Sequence, residues 1–339
     1  MAVGASVAGA TAFAATTLLL GQARQARRAI PIAQAPPPRC DGIYGSKLPG
    51  EPVNLVVLGD STACGFGVHR PRETPGALLA TGISRRLQRP VRLYGLAVVG
   101  ARSVGLVPQV EAALEHRPDL VVILIGGNDV THRTPMAVAV RHLVNAVRAL
   151  RGAGAQVVVG TCPDLGTIQP IKPPLRWLAR HRSRQLAAAQ TVAVVEAGGS
   201  TVSLGDLLGP RFAAEPSRLF AGDRFHPSAD GYAIAVAALL PAALAALGSA
   251  EERPTFLAEQ VRSLPRAAHE AARRAGTEIS GTRVGGRDRG PGGRWVRLRR
   301  RRPWFGLARD AEPEDAPLIA AVPRPRKDDD MPSTVEEPT

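Results

Sequence analysis

Between about positions 52 and 247, short, mostly apolar runs alternate with longer stretches whose apolar residues recur every three or four positions. The first run, Val53-Asn54-Leu55-Val56-Val57-Leu58, stops at Gly59 and has the composition of a strand covered on both faces. Runs of the same kind fall at 91–98, 120–125 and 156–160, with a shorter one at 201–204. Helical spacing fills the intervals, at 75–87, 104–116, 137–151 and 175–196, and 229–247 closes the series. In 137–151, for example, Val140, Leu143, Val144 and Val147 share one face. Strands alternating with helices require crossover connections, so the pattern predicts an α/β fold. The expected architecture is a three-layer α/β/α, flavodoxin-like parallel sheet of about five strands. Side chains at the carboxyl ends of such strands face one crevice, where ligands bind.

The flanks read differently. Residues 1–23 contain no charged side chain and are long enough to span a bilayer, then give way to Arg24, Arg27 and Arg28. This segment is expected to be a signal-anchor or a signal peptide, with an apolar soluble tail as the alternative. Localisation is accordingly membrane-anchored or exported. The three arginines would hold the C-terminal side of the segment in the cytoplasm, unless further basic residues precede it. Residues 24–51, with Pro36-Pro37-Pro38, read as a Pro-rich linker, and 52–248 as the folded α/β domain. The Arg/Gly/Pro-rich residues 249–339 are expected to be a mostly disordered tail. Within it, the Arg-rich run from Arg294 to Phe305, interleaved with aromatics, reads chiefly as a solvated basic run; contact with anionic lipid or, less so, nucleic acid is the alternative.

Composition adjusts this picture only a little. A hydrophobic content of 45% suits a full core, and the formal charge of +14 is spread along the chain. Nucleic-acid binding needs a concentrated basic stripe or a known module, and neither lies in the periodic region. Cys40, Cys64 and Cys162 can form neither an even disulfide framework nor the C-x-x-C pairs of a zinc site. They read as free thiols, and no metal or cofactor is expected.

The chemistry sits at the strand ends. Gly59-Asp60-Ser61 follows the first run, Val99-Gly100-Ala101 the second, and Gly126-Gly127-Asn128-Asp129 the third. Asp223-Arg224-Phe225-His226 precedes the closing helix. A serine hydroxyl is a weak nucleophile until an imidazole takes its proton and a carboxylate fixes the imidazole tautomer. Taken singly, Ser61 reads as a helix N-cap and Gly100 or Asn128 as turn residues. Together, in this order, they outweigh those readings.

The four blocks resemble the SGNH hydrolases, the GDSL-type esterase/lipase family, over about residues 52–247. That resemblance implies Ser61 as nucleophile, His226 as base and Asp223 as its orienter. It also implies an oxyanion hole of the Ser61 and Gly100 amides and the Asn128 side chain. Two residues depart from the family pattern. Thr62 replaces the leucine of Gly-Asp-Ser-Leu, and Gly95 stands where many relatives carry an asparagine that braces the loop around the oxyanion glycine. Asp129 and Asp60 are expected to order their loops. The Pro-rich 163–174 segment and Trp177 beyond it are expected to form a pocket wall or lid, with Trp177 binding substrate.

The function expected is a serine esterase hydrolysing carboxylic or thio esters through an acyl-enzyme. Its substrate would be a small-molecule or lipid ester, or an acetylated envelope molecule, met at a membrane through the N-terminal segment. An α/β-hydrolase elbow is disfavoured because Ala63 stands where the second glycine belongs. The other alternative is a non-catalytic flavodoxin-like module that binds an anion at the Ser61 loop.

Overall fold

The structure is a computed structural model, and it describes residues 2–30, 36–248 and 278–279. In chain order its elements are α1 (Ala2–Ala29), β1 (Gly42–Tyr44), β2 (Val53–Gly59), α2 (Ser61–Cys64), α3 (Pro75–Leu87), β3 (Val91–Gly95) and α4 (Leu106–Glu115). Next come β4 (Leu120–Leu124), α5 (Gly127–Thr131), α6 (Met136–Gly152), β5 (Gln156–Gly160), α7 (Leu175–Glu196) and β6 (Ser200–Val202). The last are α8 (Gly205–Ala214), α9 (Pro216–Leu219), α10 (Ala229–Ala246) and β7 (Glu278–Ile279).

Five parallel strands, in the order β3-β2-β4-β5-β6, make the sheet, as expected. Among the described residues the sheet has seven strands, because β1 joins β3 and β7 joins β6, both antiparallel. These two short edges were not foreseen. β1 falls inside the expected linker, and β7 inside the expected tail. The rest of that tail, including Trp295 and Trp304, lies outside the described residues.

Central strands are apolar throughout because each faces two helical layers. On one face Leu55, Val57, Leu93, Leu120, Val122 and Val158 pack against Leu79 and Ile83 of α3 and Leu239 and Ala243 of α10. On the other, Val56, Leu58, Val121, Ile123 and Val159 pack against Leu106 and Val110 of α4, Leu143 and Val147 of α6, and Val194 of α7. Helix α10 has the length and apolarity of a membrane span. Its buried face, Tyr232, Ala235, Val236, Leu239, Ala242 and Ala243, shows that this apolarity belongs to the core.

Helix α1 runs past the predicted boundary at 23 and continues to Ala29. Its closing turns dock on the body. Ala26 is buried with Leu165, Ile168 and Ile171, and Ile30 and Phe225 pack against the same cluster. The Gln22 side chain donates to the Pro173 carbonyl and accepts from the Leu175 amide, gripping the start of α7 from both sides.

Candidate active site

Strand β2 delivers Ser61 through a turn that only glycine can make. Gly59 has φ +136°, and a Cβ there would lie 1.9 Å from the Leu124 carbonyl oxygen on the neighbouring strand. Asp60 then caps α2, its carboxylate accepting from the Thr62 amide at 2.9 Å. Ser61 is the first residue of that helix, where a backbone N–H has no intrahelical acceptor. Buried Gln109 on α4 locks the turn. It accepts from the Gly59 amide (2.7 Å) and donates to the Gly59 carbonyl (3.0 Å).

The opposing side chains come from the loop between α9 and α10. That loop is pinched shut by Ala221 N–H to the His226 carbonyl (2.8 Å) and Ser228 N–H to the Leu219 carbonyl (2.8 Å). Within it one Asp223 oxygen accepts from the amides of Phe225 (2.9 Å) and His226 (3.0 Å). The other carboxylate oxygen meets His226 Nδ1 at 2.6 Å, and His226 Nε2 meets Ser61 Oγ at 2.9 Å. Asp223 is subject to opposed effects. Burial raises its pKa, but the His226 bond and the two amides outweigh burial and hold it below the usual carboxylate value. The imidazole is wedged between rings, Phe66 at 4.6 Å and Phe225 at 4.9 Å. Tyr232 of α10 donates to the Phe66 carbonyl at 2.7 Å, tying α10 to the loop that follows Ser61.

The expected oxyanion residues come from two further strand ends. Residues 98–101 form a turn closed by Ala101 N–H to the Val98 carbonyl (3.1 Å). Gly100, at its third position with φ +80°, takes a conformation that favours glycine. Asn128 lies in α5, and its Nδ2 donates to the Ala101 carbonyl at 3.0 Å, so this side chain and the Gly100 turn are joined. The brace absent at Gly95 has a substitute. Buried Asp129 accepts from the Ser103 amide (3.0 Å) and hydroxyl (2.7 Å), anchoring the far end of the same loop. Asp129 and Asp60 thus order their loops as the sequence suggested.

A small cleft of about 60 Å³ opens beside Ser61 and His226. Its apolar wall includes Leu165, Ile168, Phe212, Phe220 and Phe225, with Asn128 and Asp60 also at its edge. Residues 163–168 therefore form a wall, as expected of the Pro-rich loop, but Trp177 does not. Its side chain is 65% exposed and outside the cleft. The reason is helical phase: Leu175 and Ala179, one turn apart, face the docked α1 and Ile171, which turns Trp177 outward. Phe212 and Phe220 escaped the sequence reading because residues 205–220, interrupted by Pro210, show no clear period. Gln109 was legible in principle as a polar residue on the stripe of Leu106, Val110 and Ala113.

The wall loop is fixed by Asp164, whose fully buried carboxylate meets Arg180 at 3.2 Å and Arg184 at 3.0 Å. Another Gln, Gln190, ties β4 to β5, donating to the Ile125 carbonyl and accepting from the Cys162 amide. All three cysteines are free. Burial pushes the Cys64 thiol up to about 12, which removes it as a thiolate nucleophile near neutrality. A larger open hollow of about 630 Å³ lies elsewhere, lined by Arg117, Asp119, Gln156 and Leu247, and carries none of the four blocks.

The pattern of the GDSL-like lipase/acylhydrolase family matches residues 57–234. The chain is 46% identical, over 233 residues, to the GDSL-like esterase Rv1075c of Mycobacterium tuberculosis, covering 65% of this chain and 74% of that protein. Among solved structures it is similar to the lipase Lip_vut3 from a goat rumen metagenome (14% identity, TM-score 0.48), covering 59% of this chain and 99% of that one. It is also similar to Axe2, an acetylxylan esterase from Geobacillus stearothermophilus (21% identity, TM-score 0.43), covering 60% and 98%. The sequence blocks and the family match lead to one conclusion: the chain belongs to the GDSL-like lipase/acylhydrolase family and is an ester hydrolase.

Proposed function

We propose that the protein is a serine esterase acting on short-chain carboxylic or thio esters through an acyl-enzyme, with 52–248 as the catalytic unit. The observation that carries this reading is the unbroken relay Ser61–His226–Asp223, with contacts of 2.9 and 2.6 Å. His226 Nε2 accepts the Ser61 proton as Oγ attacks the carbonyl carbon, and later returns it to the leaving alcohol or thiol. Asp223 keeps the proton on Nδ1 and stabilises the imidazolium. The Ser61 amide, the Gly100 amide and Asn128 Nδ2 receive the tetrahedral oxyanion. Water then repeats the cycle on the acyl-enzyme.

The cleft argues for a short acyl group. At roughly 10–15 Å³ per water, about 60 Å³ holds roughly four or five waters, which suits an acyl chain of a few carbons. Its phenylalanine-rich wall favours an apolar chain over a second polar group. The alcohol portion extends outside, so an acetylated envelope glycan or a short-acyl lipid fits. Residues 1–23 carry the enzyme to a membrane. Nothing in the site favours the anion-binding alternative, since two potential anionic or acceptor groups, Asp60 and Asp223, flank Ser61.

The test is release of p-nitrophenol from acetate, butyrate and octanoate esters by wild type and Ser61→Ala. Wild type is expected to prefer the shorter esters, and Ser61→Ala to fall to background. A fluorophosphonate should add to Ser61. Equal release by both proteins refutes the proposal.

A further inference from the structure

In its described final turns, helix α1 touches the body along one stripe. Leu19, Gln22, Ala23, Ala26 and Ile30, spaced by three and four residues, are the shielded positions of its final turns. Phe13, Leu18 and Leu20 on the same helix remain exposed. Immediately beside the docking point, Trp177 and Leu178 at the start of α7 are exposed as well. Five large apolar side chains on two joined helices thus face outward, which a soluble surface does not need.

The exposed charges on these segments are basic, the nearest carboxylate being the fully buried Asp164 that pairs with Arg180 and Arg184. No Asp or Glu occurs in residues 1–40 or 165–195. The same stretches carry Arg24, Arg28, Lys172, Arg180 and Arg182, all exposed, and the half-buried Arg176. An apolar patch with an aromatic residue and a purely basic surround matches one partner: a bilayer with anionic headgroups, where tryptophan sits at the interface and arginines meet phosphate.

Placement relative to the site gives this surface its meaning. Ala26 and Ile30 pack on Leu165, Ile168 and Phe225, and these three residues also line the acyl cleft. Arg224, between Asp223 and Phe225, donates to the Ala29 carbonyl at 3.2 Å. Helix α1 and the cleft beside Ser61 therefore share a wall.

We propose that α1 and the first turn of α7 form a single surface that docks on an anionic bilayer and holds the mouth of the cleft at the lipid. This rests on the esterase reading for its meaning, but not for its measurement. The surface, rather than α1 alone, sets how the enzyme sits, so esters are met at the headgroup level.

Trp177 is its own reporter, because the chain has only two other tryptophans, Trp295 and Trp304. In the full-length Trp295→Phe/Trp304→Phe protein, phosphatidylglycerol vesicles should shift Trp177 emission to the blue, and brominated acyl chains should quench it. Adding Ser61→Ala should change neither signal. Lys172→Gln/Arg176→Gln should weaken vesicle binding by about thirtyfold, since each basic residue at such a surface contributes roughly a factor of five. Turnover of soluble p-nitrophenyl butyrate should stay within about twofold in that variant. Capture by vesicles with Trp177 still unquenched overturns the proposal, because α1 alone would then be the anchor. Equal binding to phosphatidylcholine overturns it too, as does a concentration-dependent blue shift without lipid, which would make the occupant a second copy. Absence of soluble-ester turnover in wild type, with quenching intact, would sink the esterase reading and spare the surface.

Discussion

Asp223→Asn separates an orienting carboxylate from a merely polar one. In the native loop one oxygen of Asp223 accepts from two backbone amides, at 2.9 and 3.0 Å, while the other takes the Nδ1 proton of His226 at 2.6 Å. An asparagine has only one oxygen, so it must choose. Keeping that oxygen on the amides presents its NH2 group to Nδ1, which forces the imidazole proton onto Nε2, facing Ser61. That tautomer cannot accept the serine proton. Turning the amide over restores the correct tautomer but sets NH2 against both backbone donors. Each lost bond to a part-buried donor costs about 2 kcal/mol, or about 4 kcal/mol together. The productive orientation is then populated roughly once in a thousand. Loss of the carboxylate charge lowers turnover further, towards the roughly 10⁴-fold deficit expected of such a change. The assay is kcat/KM on p-nitrophenyl butyrate beside thermal melting. The two amide bonds survive in the favoured orientation, so Tm should move by only a few degrees. Asp223→Asn retaining a tenth of wild-type activity would refute this account of the loop.

Two other outcomes derive from the site. Ile168→Ala, which enlarges the cleft wall, should move ester preference from butyrate towards octanoate, while Trp177→Ala should leave the chain-length profile unchanged; the reverse result would put the acyl group elsewhere. Burial raises Asp60 from an ordinary value near 3.8 to about 6, so the folded protein holds a proton that the unfolded chain releases. Its contribution to stability is full below about pH 4 and is lost as pH rises through 6, leaving a charged buried group that costs about 3 kcal/mol at pH 8. Asp60→Asn keeps the cap on Thr62 and should raise Tm by several degrees at pH 8 while matching wild type near pH 4. An equal difference at both pH values would show that Asp60 does not titrate in this range.

The central architecture was legible because its physics is local. Strands covered on both faces must be apolar throughout, and β2, β4 and β5 are such runs. Helix α3 matches its expected limits because Thr74 caps it and Pro75 opens it. Helix α7 begins just after Pro174 for a related reason. The edges were not legible. β1 and β7, of three and two residues, carry too little pattern to register. Gly205 and Pro210 hide α8, and with it Phe212, behind breaker residues. Trp177 was placed in the pocket on the nature of its side chain, whereas helical phase decides its direction. The four blocks were readable because catalytic chemistry restricts residue type. The cleft wall was not, because any apolar residue serves there.

The bond between Ser61 and His226 closes a loop of 165 residues, and the dock of α1 on Arg224 closes one of 195. During synthesis the serine leaves the ribosome early and its base near the end of the fold. Contacts of this separation form late, because the chain between them must be ordered first. On the proposed mechanism, a nascent or truncated chain ending before His226 bears Ser61 without its base and should be inert towards esters. On the proposed mechanism turnover begins only once α10 has seated, so activity would report that residues 52–248 have folded around the site.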